Sequence, residues 1–149
     1  MNELIIILKL ILAIILGGII GYERETLGKP AGSRTYALIA MGSTFFTILS
    51  VYGFGQMTNG SPTTLVGQIL VGVGFIGAGL IIFHKQHVEG LTTASALWVI
   101  AAIGIAIGIG WYIIAIIASI LVFLLLFIVR KIEFEKNKKK TLWSLFEKK

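Results

Sequence analysis

From Leu91 to Val129 the chain runs 39 residues without a charged side chain. As a single helix that stretch would reach about 58 Å, roughly twice the ~30 Å hydrocarbon thickness of a bilayer. The segment must therefore cross and turn back. Its richest helix-weakening cluster is GIAIGIGW (Gly104–Trp111), which places a tight turn near Ile109–Gly110. Trp111 and Tyr112 then fall at the interface, where aromatic rings collect. Composition agrees: 56% of the 149 residues are hydrophobic and 13% are charged, about half the charge of a soluble domain. The chain reads as an integral membrane protein.

Other apolar runs complete an all-α membrane protein of five transmembrane helices. The spans are expected near 4–22, 36–55, 65–83, 91–108 and 111–129. Residues 1–130 form the transmembrane domain and 131–149 a basic tail. The first run is read as a retained span and not as a signal peptide, because Glu3 precedes any basic residue and no A-x-A-like site follows. Arg24, Lys29 and Arg34 lie in the first loop and Lys85 in the third, whereas loop two (GQMTNGSPTT) and the fourth turn hold no basic residue. The positive-inside rule puts loops one and three and the tail in the cytoplasm, and the N-terminus outside. Lys9 lies about one turn inside the first span, so it either snorkels outward or faces a neighbouring helix.

The formal charge of +6 does not point to nucleic acid. Eight of the thirteen Lys and Arg residues follow Ile128, where a basic segment beside a span is drawn to anionic headgroups. With no cysteine, disulfides, thiolate metal sites and a cysteine nucleophile are excluded. No nucleophile–base–acid constellation is visible, so no enzymatic activity is expected.

The eighteen glycines fall mostly within the spans. Ala13, Gly17 and Gly21 recur every four residues in span one. Span three reads GQILVGVGFIGAG, with Gly67 and Gly74 a heptad apart and Gly72 and Gly79 another. Gly77 adds to this set, and Gly104–Gly108 is a GxxxG in span four. Small faces let helix backbones approach closely in lipid, and the two on span three predict that it is the central helix, with a homodimer covering the excess. GVGFIG formally matches the dinucleotide fingerprint, but that motif works after a strand at a soluble helix N-terminus, not at mid-membrane.

The stretch GYERETLGKPAGSRT (residues 21–35) concentrates two glutamates, two arginines and a lysine in one cytoplasmic loop. Topology explains the basic residues but not Glu23 and Glu25, since acidic residues contribute little to orientation. Glu23, Arg24, Arg34, Thr92 and Thr93 form the expected functional rim, with Glu23 pairing with Arg34 or reaching a helix N-terminus. Hydroxyl N-caps are expected at Ser33–Thr35 and Thr92–Thr93. Glu25 and Lys29 read as ordinary exposed loop charges. The hydroxyls of Ser43, Thr44, Thr47 and Ser50 are expected to bond back to their own helix. His84 and His87 lack a carboxylate cluster, and Glu23 is the one weak candidate for metal, with Mg²⁺ the possible ion.

The blocks GGIIGYERETLGKPAGSRTYALIAMGS, VGVGFIGAGLI and GLTTASALWVIAAIGIAIGIGWY resemble the MgtC/SapB family of bacterial membrane proteins. The likeness covers about residues 13–128. Gly21, Glu23, Arg24, Ala31, Gly32, Arg34 and Thr35 fit the first block. Gln68, Gly72, Gly74, Phe75, Gly77, Gly79, Gly90, Leu91, Thr92, Thr93, Ala94 and Trp98 fit the others. The resemblance implies a five-span protein of the bacterial cytoplasmic (inner) membrane, tied to magnesium homeostasis and, in pathogens, to survival under magnesium limitation. It implies either a regulator of membrane partners, such as a proton-translocating ATP synthase or a P-type cation pump, or a magnesium transporter. Where many members carry Asp-Pro-x-Arg before span three, this chain has Ser61-Pro62-Thr63-Thr64. Longer members add a cytoplasmic domain, whereas here a short basic segment follows the last span. The residues favour a non-catalytic regulator docking through small-residue faces, with lipid and a second copy as partners. A cation transporter or channel using the Glu23 region is the alternative.

Overall fold

The computed structural model describes residues 2–54, 62–84 and 87–146, the side chains of 54, 62, 63, 84 and 132–146 excepted. It contains five α-helices and one short hairpin: α1 Glu3–Thr26, α2 Ser33–Ile48, α3 Pro62–Gly79, β1 Ile82–His84, β2 His87–Glu89, α4 Leu91–Ile109 and α5 Tyr112–Phe146. The two strands are antiparallel, with Phe83 opposite Val88. A π-helical turn, Leu49–Phe54, continues α2. Four helices are long and apolar enough to cross a membrane, in the segments Glu3–Thr26, Ser33–Gly53, Leu91–Ile109 and Tyr112–Lys131. The apolar part of α3, Thr64–Gly79, is shorter.

Met1–Ser119 form one compact unit and Ile120–Lys149 a second. In the second, within the continuing α5 helix, the Phe123 and Phe127 rings stack at 6.4 Å, as the i, i+4 spacing allows.

The expected turn at Ile109–Gly110 is present. Gly110 adopts φ +97° and closes α4, while the Gly110 and Trp111 amides donate to the Ile107 and Ala106 carbonyls at 3.0 and 2.8 Å. A left-handed residue there satisfies end-of-helix carbonyls, and only glycine adopts it without strain. Span three departs from expectation. The helix ends at Gly79, and Ile82–His84 belong to a strand that leads into α4. Gly90, at φ +84°, makes the entry to α4, where a Cβ would collide with the Leu80 carbonyl oxygen.

The central helix is α2, not α3. Its Tyr36, Ala40, Thr44, Thr47 and Ile48 are buried between α1 and α4. Glycines make the approach possible. A Cβ on Gly17 would stand 2.7 Å from the Tyr36 carbonyl oxygen and 2.9 Å from the Ala40 Cβ. On the other side a Cβ on Gly104 would strike the Ala40 carbonyl oxygen, and one on Gly108 would stand 2.6 Å from the Thr47 Cβ. Gly21 meets Ser33 Cα at 2.7 Å in the same sense. Gly17, Gly21, Gly104 and Gly108 therefore pack as their spacing predicts. Gly72, Gly74 and Gly79 do not: among the described residues nothing beyond their adjacent residues and own helix backbone lies within 4 Å of a Cβ built there, whereas one on Gly77 would stand 3.5 Å from the Ala94 Cβ. Two small faces predict a central helix, but α3 packs only the added Gly77 against α4 and leaves both faces outward.

Of the four hydroxyls expected to bond back to their own helix, Thr44 and Thr47 do so, and Thr44 does more. Thr44 Oγ1 lies 2.9 Å from its own Ala40 carbonyl and 2.9 Å from the Gly104 carbonyl of α4, so one proton serves both. Thr47 donates to the Ser43 carbonyl at 2.7 Å. In a low-dielectric core, buried hydroxyls must find such partners.

Candidate functional site

α1 runs past its apolar stretch to Thr26, which places Glu23 and Arg24 on its last helical turn and not in a loop. Both are buried, at 7% and 5% exposure. Arg24 Nη1 approaches Glu23 Oε2 at 3.9 Å, and Arg24 Nη2 donates to Thr93 Oγ1 on α4 at 3.3 Å. The Tyr36 hydroxyl of α2 donates to the Thr93 carbonyl at 3.5 Å. One cluster of Glu23, Arg24, Tyr36 and Thr93 thus ties together the ends of three helices. A guanidinium suits this position, because its five donors form a fixed fork that can serve a carboxylate and a hydroxyl at once.

Three of the five expected rim residues meet here. Thr92 is exposed, and Arg34 is exposed on the first turn of α2, so the anticipated Glu23–Arg34 pair is replaced by Glu23–Arg24. Arg34 acts instead on Glu25. Hydroxyl capping also fails at both helices. Gly32 and Gly90 hold the N-cap positions without a side-chain bond. Glu25 caps α2 from α1: its Oε2 accepts from the Ser33 amide at 2.9 Å and from Ser33 Oγ at 2.7 Å. A carboxylate at a helix N-terminus satisfies orphan donors and opposes the dipole's positive end. Nothing in the spacing marked Glu25 for this, since the bond spans eight residues across a turn. Lys29 is exposed, as expected.

A second polar cluster lies at the opposite end of α1. Lys9, 3% exposed, donates from Nζ to the Gly108 carbonyl at 2.7 Å. The Tyr52 and Tyr112 ring centroids stand 5.5 and 5.8 Å from the same nitrogen. Lys9 therefore faces neighbouring helices and does not snorkel. Its partners could not be read from the sequence, because a backbone carbonyl leaves no trace there.

Among the described residues no three His, Cys, Asp or Glu side chains converge as a metal cluster, and the Arg24 guanidinium stands 3.9 Å from the Glu23 carboxylate. Ser61, Lys85, Gln86 and the side chain of His84 lie outside the described residues, so the departure from Asp-Pro-x-Arg and the two-histidine loop have no geometry to report.

Residues 10–134 match the MgtC family. This chain belongs to that family. It is 45% identical over 133 residues to the protein described as putative magnesium transporter YhiD of Escherichia coli strain K12, covering 86% of this chain and 62% of YhiD. Protein SrpB of Synechococcus elongatus is 39% identical over 113 residues, covering 68% of this chain and 62% of its own. Protein MgtC of Brucella abortus strain 2308 is 43% identical over 98 residues, covering 66% of this chain and 40% of its own. The chain thus spans less than two thirds of the length of these relatives. No solved structure matches. Membership in the MgtC family and four spanning helices together describe a multi-pass membrane protein.

Proposed function

We propose that this MgtC-family chain is a non-catalytic regulator in the bacterial cytoplasmic membrane, linked to magnesium homeostasis and acting by helix–helix contact with membrane partners. In this reading α3 is the fifth span, the N-terminus is outside, and the Glu23–Arg24 end of α1 faces the cytoplasm. The observation that carries it is the outward placing of Gly72, Gly74 and Gly79, whose Cβ positions meet no other element within 4 Å among the described residues. Small residues that a chain does not use for its own packing favour association with another helix in lipid. A proton-translocating ATP synthase or a P-type cation pump is the kind of partner that the family resemblance suggests.

Magnesium transport is the second reading, supported by the description of YhiD as a putative magnesium transporter and by a buried carboxylate at Glu23. Two buried cations weigh against it. Arg24 sits 3.9 Å from Glu23 and Lys9 occupies the other end of the same helix, so a divalent ion passing through this bundle would meet positive charge twice.

Liposomes containing only the purified chain separate the two. The regulator predicts no Mg²⁺ uptake above protein-free vesicles. Robust uptake that is lost on Glu23→Gln decides for transport. For the orientation, a single cysteine at Lys29 in intact cells reacts with an impermeant maleimide only after the inner face is opened. Labelling from outside overturns the topology.

A further inference from the structure

Gln68 is a primary amide set into a helix of otherwise apolar and small residues. It is exposed, and among the described residues it has no hydrogen-bond partner. It lies six residues beyond Pro62, the first of α3, about 9 Å along the axis, with ten more before Gly79. At 100° per residue, Gln68, Gly72, Phe75 and Gly79 share a sector of about 60°, and Gly77 lies opposite, against Ala94 of α4. The Gln68 face is therefore opposite the one that α3 packs on α4. Phe75 on this face is 83% exposed, the most exposed of the large apolar side chains among the described residues. Beside it, Leu38, Gly42 and Phe46 of α2 and Leu65, Gln68 and Gly72 of α3 line an open apolar groove of about 360 Å³.

We infer that this face of α3 is the surface on which a second copy of the chain docks, with the two Gln68 amides hydrogen-bonded across the contact. The inference rests on the proposed reading of α3 as a membrane span and names one partner for its outward face. Hydrocarbon offers an amide nothing to bond, and a lipid tail filling the groove would leave it unpaired. An amide carries both donor and acceptor, so a second Gln68 complements it in both directions. The rest of the surface is self-complementary as well, since one patch bears a protruding ring and a groove able to receive its like. A two-fold contact needs that property, because the same patch must serve both subunits. Gly72 and Gly79 let the two α3 backbones come close enough for the amides to meet.

The chain has no cysteine, so single cysteines report the contact directly. Thr64→Cys and Val71→Cys, exposed a heptad apart beside the Gln68 face, and, as the control on an exposed face of α1, Ile11→Cys are each oxidised in liposomes holding only this chain. Disulfide dimers are expected at 64 and 71 and not at 11. Adding Gln68→Leu to Val71→Cys is expected to cut the dimer roughly fivefold to tenfold, and Gln68→Asn to restore most of it. Circular dichroism in the same vesicles checks that each variant is folded. The proposal fails if Ile11→Cys links as well as Val71→Cys, or if Gln68→Leu leaves the dimer intact. It fails too if a Gln68→Cys chain is labelled freely from water. No regulated partner is present in these vesicles, so a negative result removes the dimer and leaves regulation of other proteins standing. Loss of regulation in cells with the dimer retained does the reverse.

Discussion

The Lys9 ammonium donates a 2.7 Å hydrogen bond to the carbonyl of Gly108, joining two residues 99 positions apart. Gly108 stands in the last turn of α4, where carbonyls have no acceptor role left inside the helix and the dipole ends negative. The faces of Tyr52 and Tyr112 add electron-rich surface at 5.5 and 5.8 Å. The carbonyl and both rings thus favour positive charge at Lys9. Lys9→Glu should cost about 3–5 kcal/mol, because an anion is then buried against the Gly108 carbonyl and the two ring faces. Lys9→Met should cost less, about 1–3 kcal/mol, by leaving the Gly108 carbonyl without a donor. Unfolding titrations in bicelles give the order, and a Glu variant as stable as the parent would contradict this account.

Ala40 is gripped from both sides, by Gly17 of α1 and by Gly104 of α4. Gly17→Ala and Gly104→Ala should each destabilise the bundle by about 1–3 kcal/mol, since the added methyl meets backbone that cannot move aside cheaply. Because both act on one residue, the double variant should depart from additivity. Gly74→Ala, with nothing within 4 Å, should stay within about 0.5 kcal/mol of the parent. Equal losses at Gly17 and Gly74 would show that the packing is not as described.

Membrane class, the turn at Gly110 and the close approach of Gly17, Gly21, Gly104 and Gly108 were legible in the sequence. Each rests on a short-range property: apolar length, helix-breaking residues, or small side chains at helical spacing. What was not legible depends on pairing between distant elements. Glycine spacing, heptads on α3 and a GxxxG on α4, gave no sign that the α4 glycines would pack on α2 while α3 turned most of its set outward. The sequence left Glu23 to pair with Arg34 or to reach a helix N-terminus, and it meets Arg24, because α1 continues a full turn beyond its apolar run and carries both side chains inward. Tyr36 went unmarked, since an aromatic at the start of an apolar span reads as ordinary core or belt. Only the placement of α4 gives its hydroxyl the Thr93 carbonyl.

Glu25 fixes the start of α2 through one oxygen that accepts from both the Ser33 amide and the Ser33 hydroxyl. Glu25→Ala removes that cap and should speed amide exchange at Ser33, Arg34 and Thr35, with the α4 amides unchanged. Glu25→Gln keeps an acceptor but loses the charge that opposes the dipole, so it should fall between. Hydrogen exchange followed by mass spectrometry reads this directly. Exchange in that turn indifferent to both substitutions would assign the cap elsewhere.

Glu23 and Arg24 are buried beside each other, and Arg24 also holds Thr93. Arg24→Ala alone leaves a carboxylate in a low-dielectric site and should cost about 3–5 kcal/mol. Removing both charges, as Glu23→Ala with Arg24→Ala, should cost clearly less than the two single losses combined, giving a coupling of about 0.5–3 kcal/mol. Thr93→Val, which takes away one acceptor from Arg24 but no charge, should cost about 0.5–1.5 kcal/mol. Additive single losses would mean that the two charges do not stabilise one another. The cluster would then be three separate contacts and not one joint between α1, α2 and α4.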